Sequence, residues 1–378
     1  MKFVHVNDIR LGSSAEAGTR WGEARRDELF ASLRRVLEWA DGSGTELLLV
    51  SGGLFAHQPV TAELEQVSAL FGEYPKIETV IIAGETDRVK KFSPIRSFLW
   101  PKHVHYVLSG DAEQIDLPGL HTAVYAASRT DGAPPEPGAI LLAELKGLMG
   151  DNANGAGPGA EAIRRMAEAA EPIRIAMLRC ETDGKIRESF SDSGFSYVAV
   201  GQSGGRKCLI ENMAYCPGSL EPEQMQDSGA HGIYAGETGP EGRLLKIEFI
   251  PLSEVAYVPL KAEVHPGITR EELEKSLQKE IEGRGGRNIY RLKLYGTRSP
   301  EEQFDLEGLK ERYRIAEVID ETEPVYDFTA LFEEHPQDMI GFYIGSIARG
   351  RKDMSPLEKK AMYYGIDALI RTSEGEEQ

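Results

Sequence analysis

Short apolar segments that end in glycine turns, separated by stretches with helical spacing, set the fold class of this chain. Leu47–Val50 has the length and composition of a buried strand, and it ends abruptly at Ser51-Gly52-Gly53. Two further strands and two amphipathic helices extend the pattern: Lys2–Val6, Arg26–Ala40, a helix capped by Thr61, and Thr79–Ala83. Strands that alternate with helices form parallel βαβ units. We therefore predict an α/β sheet whose strands present their chemistry together, in the loops at their carboxyl ends.

The remaining pattern divides the chain into three parts. Seven further strands are predicted in the first part, of which the last three suggest an antiparallel second sheet: Val104–Leu108, His121–Ala126, Ile173–Leu178, Tyr197–Val200, Lys207–Ile210, Ile233–Ala235 and Leu244–Ile250. Residues 140–149 and 161–170 are predicted helices. After a boundary near Pro251–Pro259, two helices and two strands predict a small α+β module, and Phe328–Thr372 is predicted to be mostly helical. We therefore expect domains at 1–250, 251–325 and 326–378.

Net charge and cysteine usage restrict the partners and the compartment. The 378 residues contain 43 lysines and arginines against 61 aspartates and glutamates, a formal charge of −18. Such a surface repels phosphate backbones on average, so DNA binding is not favoured and would need a local basic patch. No apolar run is long enough to span a bilayer. We expect no signal peptide, because Met1-Lys2 leads directly into a predicted strand. The three cysteines lack the spacing of a zinc site. We expect a cytoplasmic protein with no membrane partner.

One arginine-rich segment is a candidate for a local basic patch. Residues 20–35 contain five arginines with acidic residues interspersed among them: Arg20, Arg25, Arg26, Arg34 and Arg35. Because acids alternate with bases, we interpret this segment as a solvated helix face rather than a nucleic-acid patch.

The ends of five predicted strands resemble the five metal motifs of a known enzyme family. The order and spacing of these strand ends over roughly residues 1–250 are similar to those of SbcD-like DNA double-strand-break repair exonucleases, with the YhaO-type branch most similar. Framing residues agree as well: Phe3-Val4-His5-Val6, Leu11-Gly12, Arg26-Asp27, Ser51-Gly52, Leu54-Phe55, Gly84, Asp87, Trp100-Pro101 and Pro217-Gly218-Ser219. The resemblance implies a calcineurin-like metallophosphoesterase β-sandwich flanked by helices, followed by a small α+β capping domain and C-terminal helices.

Each of the five motifs has lost at least one metal ligand of the family. The first resembles D-x-H, but Arg10 follows Asp8 where the family has histidine. Gly53 stands at the position of the aspartate that bridges two metals, and Arg179 at that of the fourth motif's histidine. The fifth motif, G-H-x-H, reads Gly201-Gln202-Ser203-Gly204, so both histidine positions, Gln202 and Gly204, lack imidazole.

The third motif resembles G-N-H-D and reads Gly84-Glu85-Thr86-Asp87. Glu85 takes the place of the metal-binding asparagine. Thr86 takes the place of the histidine that protonates the leaving group, and Asp87 is that histidine's usual orienting partner. The resemblance therefore leaves Thr86 and Asp87 at the catalytic positions without the general acid.

These replacements predict a protein without the family's metal centre. Two-metal phosphodiester hydrolysis needs a bridging carboxylate and neutral imidazoles or carboxylates around each ion. Of seven ligand positions only Asp8 keeps the family residue, and guanidinium groups cannot ligate a metal. We therefore expect no metal cofactor and no catalytic residue, and a scaffold or regulatory role. We hypothesise that Arg10 and Arg179 occupy the volume of the lost metals and pair with the carboxylates of Asp8, Glu85 and Asp87.

Two alternatives stay open. The first is an active phosphodiesterase or DNA exonuclease that uses Mn²⁺ at a site rebuilt from three carboxylates and one histidine: Asp8, Glu85, Asp87 and His57. The second is a protein that binds a phosphate or a DNA end through Arg10 and Arg179 without cleaving it, because guanidinium forks fit phosphate.

The C-terminal segment predicts a protein partner. Residues 326–372 carry many aromatic and apolar side chains within predicted helices, among them Phe332, Met339, Phe342 and Tyr364. In the family, this segment docks on a coiled-coil ATPase of the SbcC type, and an amphipathic helix in a partner's groove is an ordinary way to do so. Packing within its own domain, or dimerisation, is the competing interpretation.

Overall fold

The structure is a computed structural model that describes residues 1–13, 18–131, 173–191, 193–227, 229–300, 302–348 and 355–375. The chain forms two compact units, Met1–Tyr257 and Val258–Gln378. The helices predicted at 140–149 and 161–170 lie outside the described residues. The predicted three-part division of the chain stays a prediction.

The first unit is built from strands that alternate with helices, as the sequence pattern predicts. Its described strands are β1 Lys2–Val6, β2 Leu47–Ser51, β3 Glu78–Ile82, β4 Val104–Tyr106, β5 Glu113–Leu117, β6 Thr122–Ala126, β7 Ile173–Arg179, β8 Tyr197–Gly201, β9 Lys207–Ile210, β10 Ala214–Cys216, β11 Gly232–Thr238 and β12 Leu244–Pro251. Its described helices are α1 Gly22–Ser43, α2 Thr61–Gly72 and α3 Asp183–Phe190.

Within the described residues the first sheet has six strands, in the order β12-β11-β1-β2-β3-β4. Strands β1 to β4 run parallel, whereas β11 runs antiparallel to both of its neighbours. Val6 lies beside Val50, and Val50 lies beside Ile81, so β1, β2 and β3 end at the same level. The loops that follow these strands therefore lie side by side.

The second sheet, counted over the same described residues, has the order β5-β6-β7-β8-β10-β9. Strands β6, β7, β8 and β10 run parallel, and β5 and β9 run antiparallel at the two edges. The last pair between β7 and β8 joins Arg179 to Gly201. These two strands thus also end together.

The two sheets pack face to face around an apolar core. Side chains from both sheets are fully or almost fully buried there, including Leu47, Leu49, Val80, Val124, Ile175, Met177 and Tyr197. Helices α1 and α2 cover the outer face of the first sheet, and α3 covers that of the second. Buried apolar side chains recur at helical spacing in α1, where Leu29, Leu33 and Val36 are at most 3% exposed. The predicted sandwich of sheets flanked by helices is what the structure has.

One sequence-based expectation about the first unit was wrong, and another holds only in part. The strands predicted at Ile233–Ala235 and Leu244–Ile250 do pair antiparallel, but as β11 and β12 they extend the first sheet beside β1 and do not join β9. The arginine-rich segment is only partly a solvated face, because Arg25 is 5% exposed. Its Nη2 lies 3.3 Å from a carboxylate oxygen of Glu221, which is 2% exposed and 196 residues away. A pairing so distant in sequence leaves no local signal.

The second unit contains a small sheet and several helices. Its strands are β13 Tyr257–Val264, β14 Ile289–Arg298 and β15 Arg314–Pro324, in the order β13-β14-β15 with β14 and β15 parallel. Its described helices are α4 Arg270–Arg284, α5 Glu307–Arg312, α6 Phe328–Glu334, α7 Met339–Ala348 and α8 Pro356–Gly375. Leu273, Leu277 and Ile281 of α4 are buried at i, i+4 spacing, and they pack with side chains of the sheet.

The last three helices form a cluster of their own. Ile340 and Ile344 of α7 pack with Met362 and Ile366 of α8. A Cβ added at Gly365 would lie 2.1 Å from the Tyr343 hydroxyl, so α7 and α8 approach each other closely at this glycine. Among the described residues, we find no helix whose length and apolar character would let it cross a bilayer.

Candidate functional site

The loops at the carboxyl ends of the two sheets converge in the first unit. The Asp8 amide donates to the Gly52 carbonyl at 3.0 Å, which joins the loops after β1 and β2. A Cβ added at Gly52 would lie 3.1 Å from Gly84 Cα, just after β3. One added at Gly201 would lie 1.9 Å from the Ser51 carbonyl oxygen, so the end of β8 also touches β2. The sequence motifs are therefore brought to one place.

A buried arginine–carboxylate pair occupies the centre of this place. Arg179 Nη1 lies 2.9 Å from Asp8 Oδ1, and Nη2 lies 3.4 Å from Oδ2. The two side chains are 8% and 7% exposed. Nη2 also donates to Ser203 Oγ at 3.0 Å and lies 3.5 Å from a Glu181 carboxylate oxygen. Burial disfavours the guanidinium charge, but the Asp8 charge and hydrogen bond outweigh it and raise the pKa of Arg179.

Asp87 is a second buried carboxylate beside this pair. It accepts hydrogen bonds from the Gly84 amide at 2.6 Å and from the Phe55 amide at 3.2 Å. Burial raises the pKa of Asp87 to about 6, although these two amides and the more distant Arg179 charge oppose the rise. Asp87 thus ties the loop after β3 to the loop after β2.

The other residues of the third motif do not join the pair. Glu85 is 52% exposed and pairs with Arg88 at 3.4 Å and with Arg129 at 3.0 Å. The Thr86 hydroxyl donates to the Phe55 carbonyl at 2.7 Å. At these positions the side chains hold neighbouring loops in place.

Arg10 has a partner that the sequence motifs did not indicate. Its Nε lies 2.8 Å from Glu223 Oε1, with side-chain exposures of 32% and 19%. Burial raises the pKa of Glu223, and the charge of Arg10 opposes that rise. The hypothesis that both arginines pair with Asp8, Glu85 and Asp87 thus holds for Arg179 with Asp8 and is wrong for Arg10.

Gly53 meets a steric requirement in this structure. Its φ is +64°, in the left-handed region, where residues other than glycine, asparagine and aspartate are strained. A Cβ added there would lie 2.1 Å from Asp8 Oδ1. With Asp8 turned toward Gly53, the position of the family's bridging aspartate has no room for a side chain.

The two positions of the fifth motif differ from each other. Gln202 is fully buried. Its side-chain Nε2 donates to Asp183 Oδ1 at 2.8 Å, and its backbone carbonyl accepts from Asn7 Nδ2 at 2.9 Å. Within the described part of the chain, Gln202 Oε1 has no hydrogen-bond partner. Gly204 has a φ of +92° and open space around its Cβ position.

A polar layer beneath the pair was not predicted from the sequence. His5 is fully buried, with Nδ1 2.9 Å from the Tyr197 hydroxyl and Nε2 2.8 Å from Ser51 Oγ. Burial lowers the pKa of His5 to about 3, so the imidazole is neutral at physiological pH. The available signal was a lone histidine in the apolar strand Phe3-Val4-His5-Val6. Such a residue needs polar partners from elsewhere in the fold.

The donors present do not fit a two-metal centre. In the part of the chain that the structure describes, no three histidine, cysteine, aspartate or glutamate side chains are grouped so as to hold a metal ion. Asp8, the one ligand shared with the family, has a guanidinium nitrogen 2.9 Å from its carboxylate. A guanidinium is always protonated and donates hydrogen bonds only. His57 of the alternative site instead lies 3.1 Å from a carboxylate oxygen of Glu63.

Comparison with protein-family models gives no match, and neither does comparison with curated proteins. Among solved structures, the chain is similar to a dimetal phosphatase from Danio rerio. The sequence identity is 10%, the TM-score is 0.35, and the match covers 62% of this chain and 92% of the phosphatase. A likeness this weak carries no argument about the chemistry of the chain.

Proposed function

We propose that this chain is a non-catalytic relative of the SbcD/YhaO-like exonucleases, in the calcineurin-like metallophosphoesterase superfamily, and that it acts as a scaffold or regulatory partner. The buried ion pair between Arg179 and Asp8 carries the proposal. It stands at the strand ends whose motifs resemble the metal motifs of that family. At these strand ends, an arginine–carboxylate ion pair stands where the family has metal ligands.

The geometry supports a structural role for this guanidinium. A divalent ion on Asp8 would have to displace a nitrogen held at 2.9 Å, and it would then face the fixed positive charge of Arg179. Opening a buried pair leaves an uncompensated charge, which is strongly unfavourable. The ion pair thus takes over the neutralising role that a metal would have, without supplying a Lewis acid.

The alternative of a rebuilt, manganese-dependent site has less support. Its four candidate residues do not converge, because Glu85 pairs with Arg88 and Arg129 while His57 pairs with Glu63. Thr86 stands at the position of the family's general acid, but its hydroxyl donates a hydrogen bond to a backbone carbonyl.

The alternative of a phosphate-binding site is also disfavoured. Arg179 is 8% exposed and its two terminal nitrogens contact Asp8 and Ser203. Arg10 pairs with Glu223. A phosphate would have to compete with a carboxylate at each arginine, and it would meet the like charge of that carboxylate nearby.

Metal content and hydrolysis test the non-catalytic role. The full-length chain, purified with Mn²⁺, is expected to retain far less than one ion per chain and to hydrolyse neither bis(p-nitrophenyl) phosphate nor linear DNA. An active SbcD-type nuclease, carried through the same purification, serves as the positive control. Two bound ions per chain, or manganese-dependent cleavage that Asp8→Asn abolishes, would overturn the proposal.

We further propose that the partner is a coiled-coil ATPase of the SbcC type, bound by the C-terminal helices. A groove of about 680 Å³ lies between α6 and α7, lined in part by Phe328, Phe332, Phe342 and Ile344. Phe342 is 68% exposed and Met339, at the start of α7, is 70% exposed. Exposed apolar side chains beside a groove suit the apolar face of a partner helix.

Co-purification with an SbcC-type ATPase from the same organism tests the partner. Phe342→Ser combined with Met339→Ser is expected to reduce the captured ATPase at least tenfold, because two exposed apolar contacts are lost. Leu245→Ser is the matched control, since Leu245 is 63% exposed on the first unit. Unchanged capture, or loss of self-association instead of ATPase binding, would refute this part of the proposal.

A further inference from the structure

The segment between β3 and β4 has a charge opposite to that of the whole chain. Residues 88–102, which we name the cationic loop, read RVKKFSPIRSFLWPK and contain five cations and no acid, in a chain of net charge −18. Arg88 pairs with Glu85. For the other four, Lys90, Lys91, Arg96 and Lys102, we find no acidic partner among the described residues.

The cationic loop is a fixed platform. Ile95 is 1% exposed and belongs to the core between α1, α2 and the first sheet. Arg96 Nε donates to the Lys90 carbonyl at 3.0 Å, which closes the turn between them. At the end of the loop, the Trp100 ring packs against the rings of Phe98 and Tyr106, with centroids 4.9 Å and 5.7 Å away. The exposed residues are therefore presented by an anchored backbone.

Two large apolar side chains on this platform are almost completely exposed. Phe92 is 89% exposed and Leu99 is 90% exposed, the largest values among the exposed large hydrophobic residues of the described chain. Lys91 Nζ lies 5.4 Å from the centre of the Phe92 ring. A surface of this kind, with cations alongside, is suited to an occupant that is both apolar and anionic.

We propose that the cationic loop attaches the protein to an anionic lipid surface. Phe92 and Leu99 enter the boundary between headgroups and acyl chains, and Lys90, Lys91, Arg96 and Lys102 face the anionic headgroups. This mode needs neither a spanning segment nor a signal peptide, the two features on which the sequence-based expectation of no membrane partner rested, so the proposal revises that expectation. It is also independent of the proposed loss of catalysis.

Lipid fits these residues better than the other anionic occupants. Bases of single-stranded nucleic acid stack on aromatic faces, which Phe92 offers and Leu99 does not. A second copy of the chain in a symmetric dimer would place the cationic loop against itself, which like charges oppose. The net negative charge of the chain is screened beyond about 8–10 Å at physiological salt, so the loop acts locally.

Vesicle sedimentation of the full-length chain tests the proposal. The protein is expected to sediment with vesicles of mixed phosphatidylcholine and phosphatidylserine far more than with phosphatidylcholine alone, and to be released by high salt. Phe92→Ser with Leu99→Ser should lower the partition coefficient by about tenfold or more, through the lost apolar contacts. Lys90→Ser with Lys91→Ser should lower it by more than about tenfold on the mixed vesicles.

Matched controls separate this loop from general stickiness. Leu245→Ser removes an exposed apolar side chain elsewhere on the same unit, and Lys76→Ser removes an exposed lysine outside the loop; both should partition like the wild type. Phe92→Trp keeps an apolar ring, and its tryptophan emission should shift to the blue when mixed vesicles are added.

Three results would overturn the proposal. The first is no phosphatidylserine-dependent sedimentation of the wild type. The second is sedimentation that the loop variants leave unchanged. The third is loop-dependent binding of a labelled single-stranded oligonucleotide without vesicle binding, which would make the loop a nucleic-acid site.

Discussion

The buried pair between Arg179 and Asp8 makes a prediction whose size can be worked out from the structure. Arg179→Met keeps most of the side-chain volume and removes the charge. Asp8→Asn removes the other charge, and the two changes together remove both. The three variants and the wild type form a double-mutant cycle that isolates the interaction.

Burial sets the expected magnitudes. The two side chains are 8% and 7% exposed, so Arg179→Met leaves the Asp8 carboxylate in the protein interior without a counter-charge. Breaking a buried pair on one side costs about 3–5 kcal/mol of unfolding free energy. Asp87, also buried, loses the same favourable charge. The double variant leaves no uncompensated charge at Asp8, so we expect it to be more stable than Arg179→Met alone, with a coupling energy of about 2 kcal/mol or more.

Urea unfolding followed by tryptophan fluorescence measures these values in the right part of the molecule. Trp21, Trp39 and Trp100 all belong to the first unit, so their emission reports its unfolding. The exposed pair of Arg34 and Glu73 is the control, with an N–O distance of 2.6 Å and side-chain exposures of 40% and 49%. Because solvent screens that pair, Arg34→Met should cost far less than Arg179→Met.

A loss of stability in Arg179→Met no larger than that in Arg34→Met, or a coupling energy with Asp8 near zero, would refute this role of the pair. Either result would mean that the guanidinium does not neutralise the buried carboxylate. A rise in bound Mn²⁺ to two ions per chain in Arg179→Met would show instead that the arginine masks an intact metal site.

Three further predictions concern single positions. Gly53→Asp should lower the unfolding free energy by more than Gly204→Asp and should bind no extra metal, because both glycines have positive φ but only Gly53 lacks room for a Cβ; equal losses of about 1–2 kcal/mol would contradict this. His5, with a folded pKa of about 3 against 6.5 when exposed, stabilises the protein above pH 6.5 and loses that contribution, about 5 kcal/mol at most, as the pH falls toward 3. His5→Gln should therefore show a shallower fall in stability with acid in urea titrations, and parallel curves would refute it. Glu221→Ala should cost about 3–5 kcal/mol by thermal or urea unfolding, because it removes a buried carboxylate that pairs with both Arg25 and Arg35 and leaves Arg25 with only Glu28 of these two acidic partners; a loss below about 1 kcal/mol would count against this network.

The sequence pattern predicted the strand framework because its signal is local. Leu47–Val50 and Lys2–Val6 are apolar runs that end in turns, and the structure has strands at Leu47–Ser51 and Lys2–Val6. The pairing of β11 with β1, which also brings β12 into the first sheet, could not be predicted in the same way. An edge pairing across more than two hundred residues depends on which sheet has a free edge, and that is a property of the assembled fold.

Part of the candidate site was predictable and part was not. The motif positions predicted that Arg179 pairs with carboxylates at the strand ends, but they did not single out Asp8 as its partner. The pairing of Arg10 with Glu223 did not follow, since Glu223 lies outside every motif. The close fit of Gly53 against Asp8 also needed coordinates, because composition alone does not distinguish a lost side chain from one that has no room.

The amino-acid sequence is sufficient to predict the alternation of strands and helices and the residue types at the strand ends. Both depend on the spacing and the side-chain chemistry of residues that are close together in the sequence. Only the folded structure shows which charges neutralise each other and which apolar side chains stay exposed to solvent, as those of Phe92 and Leu99 do. Burial and contact depend on segments far apart in the chain, and only folding brings those segments together.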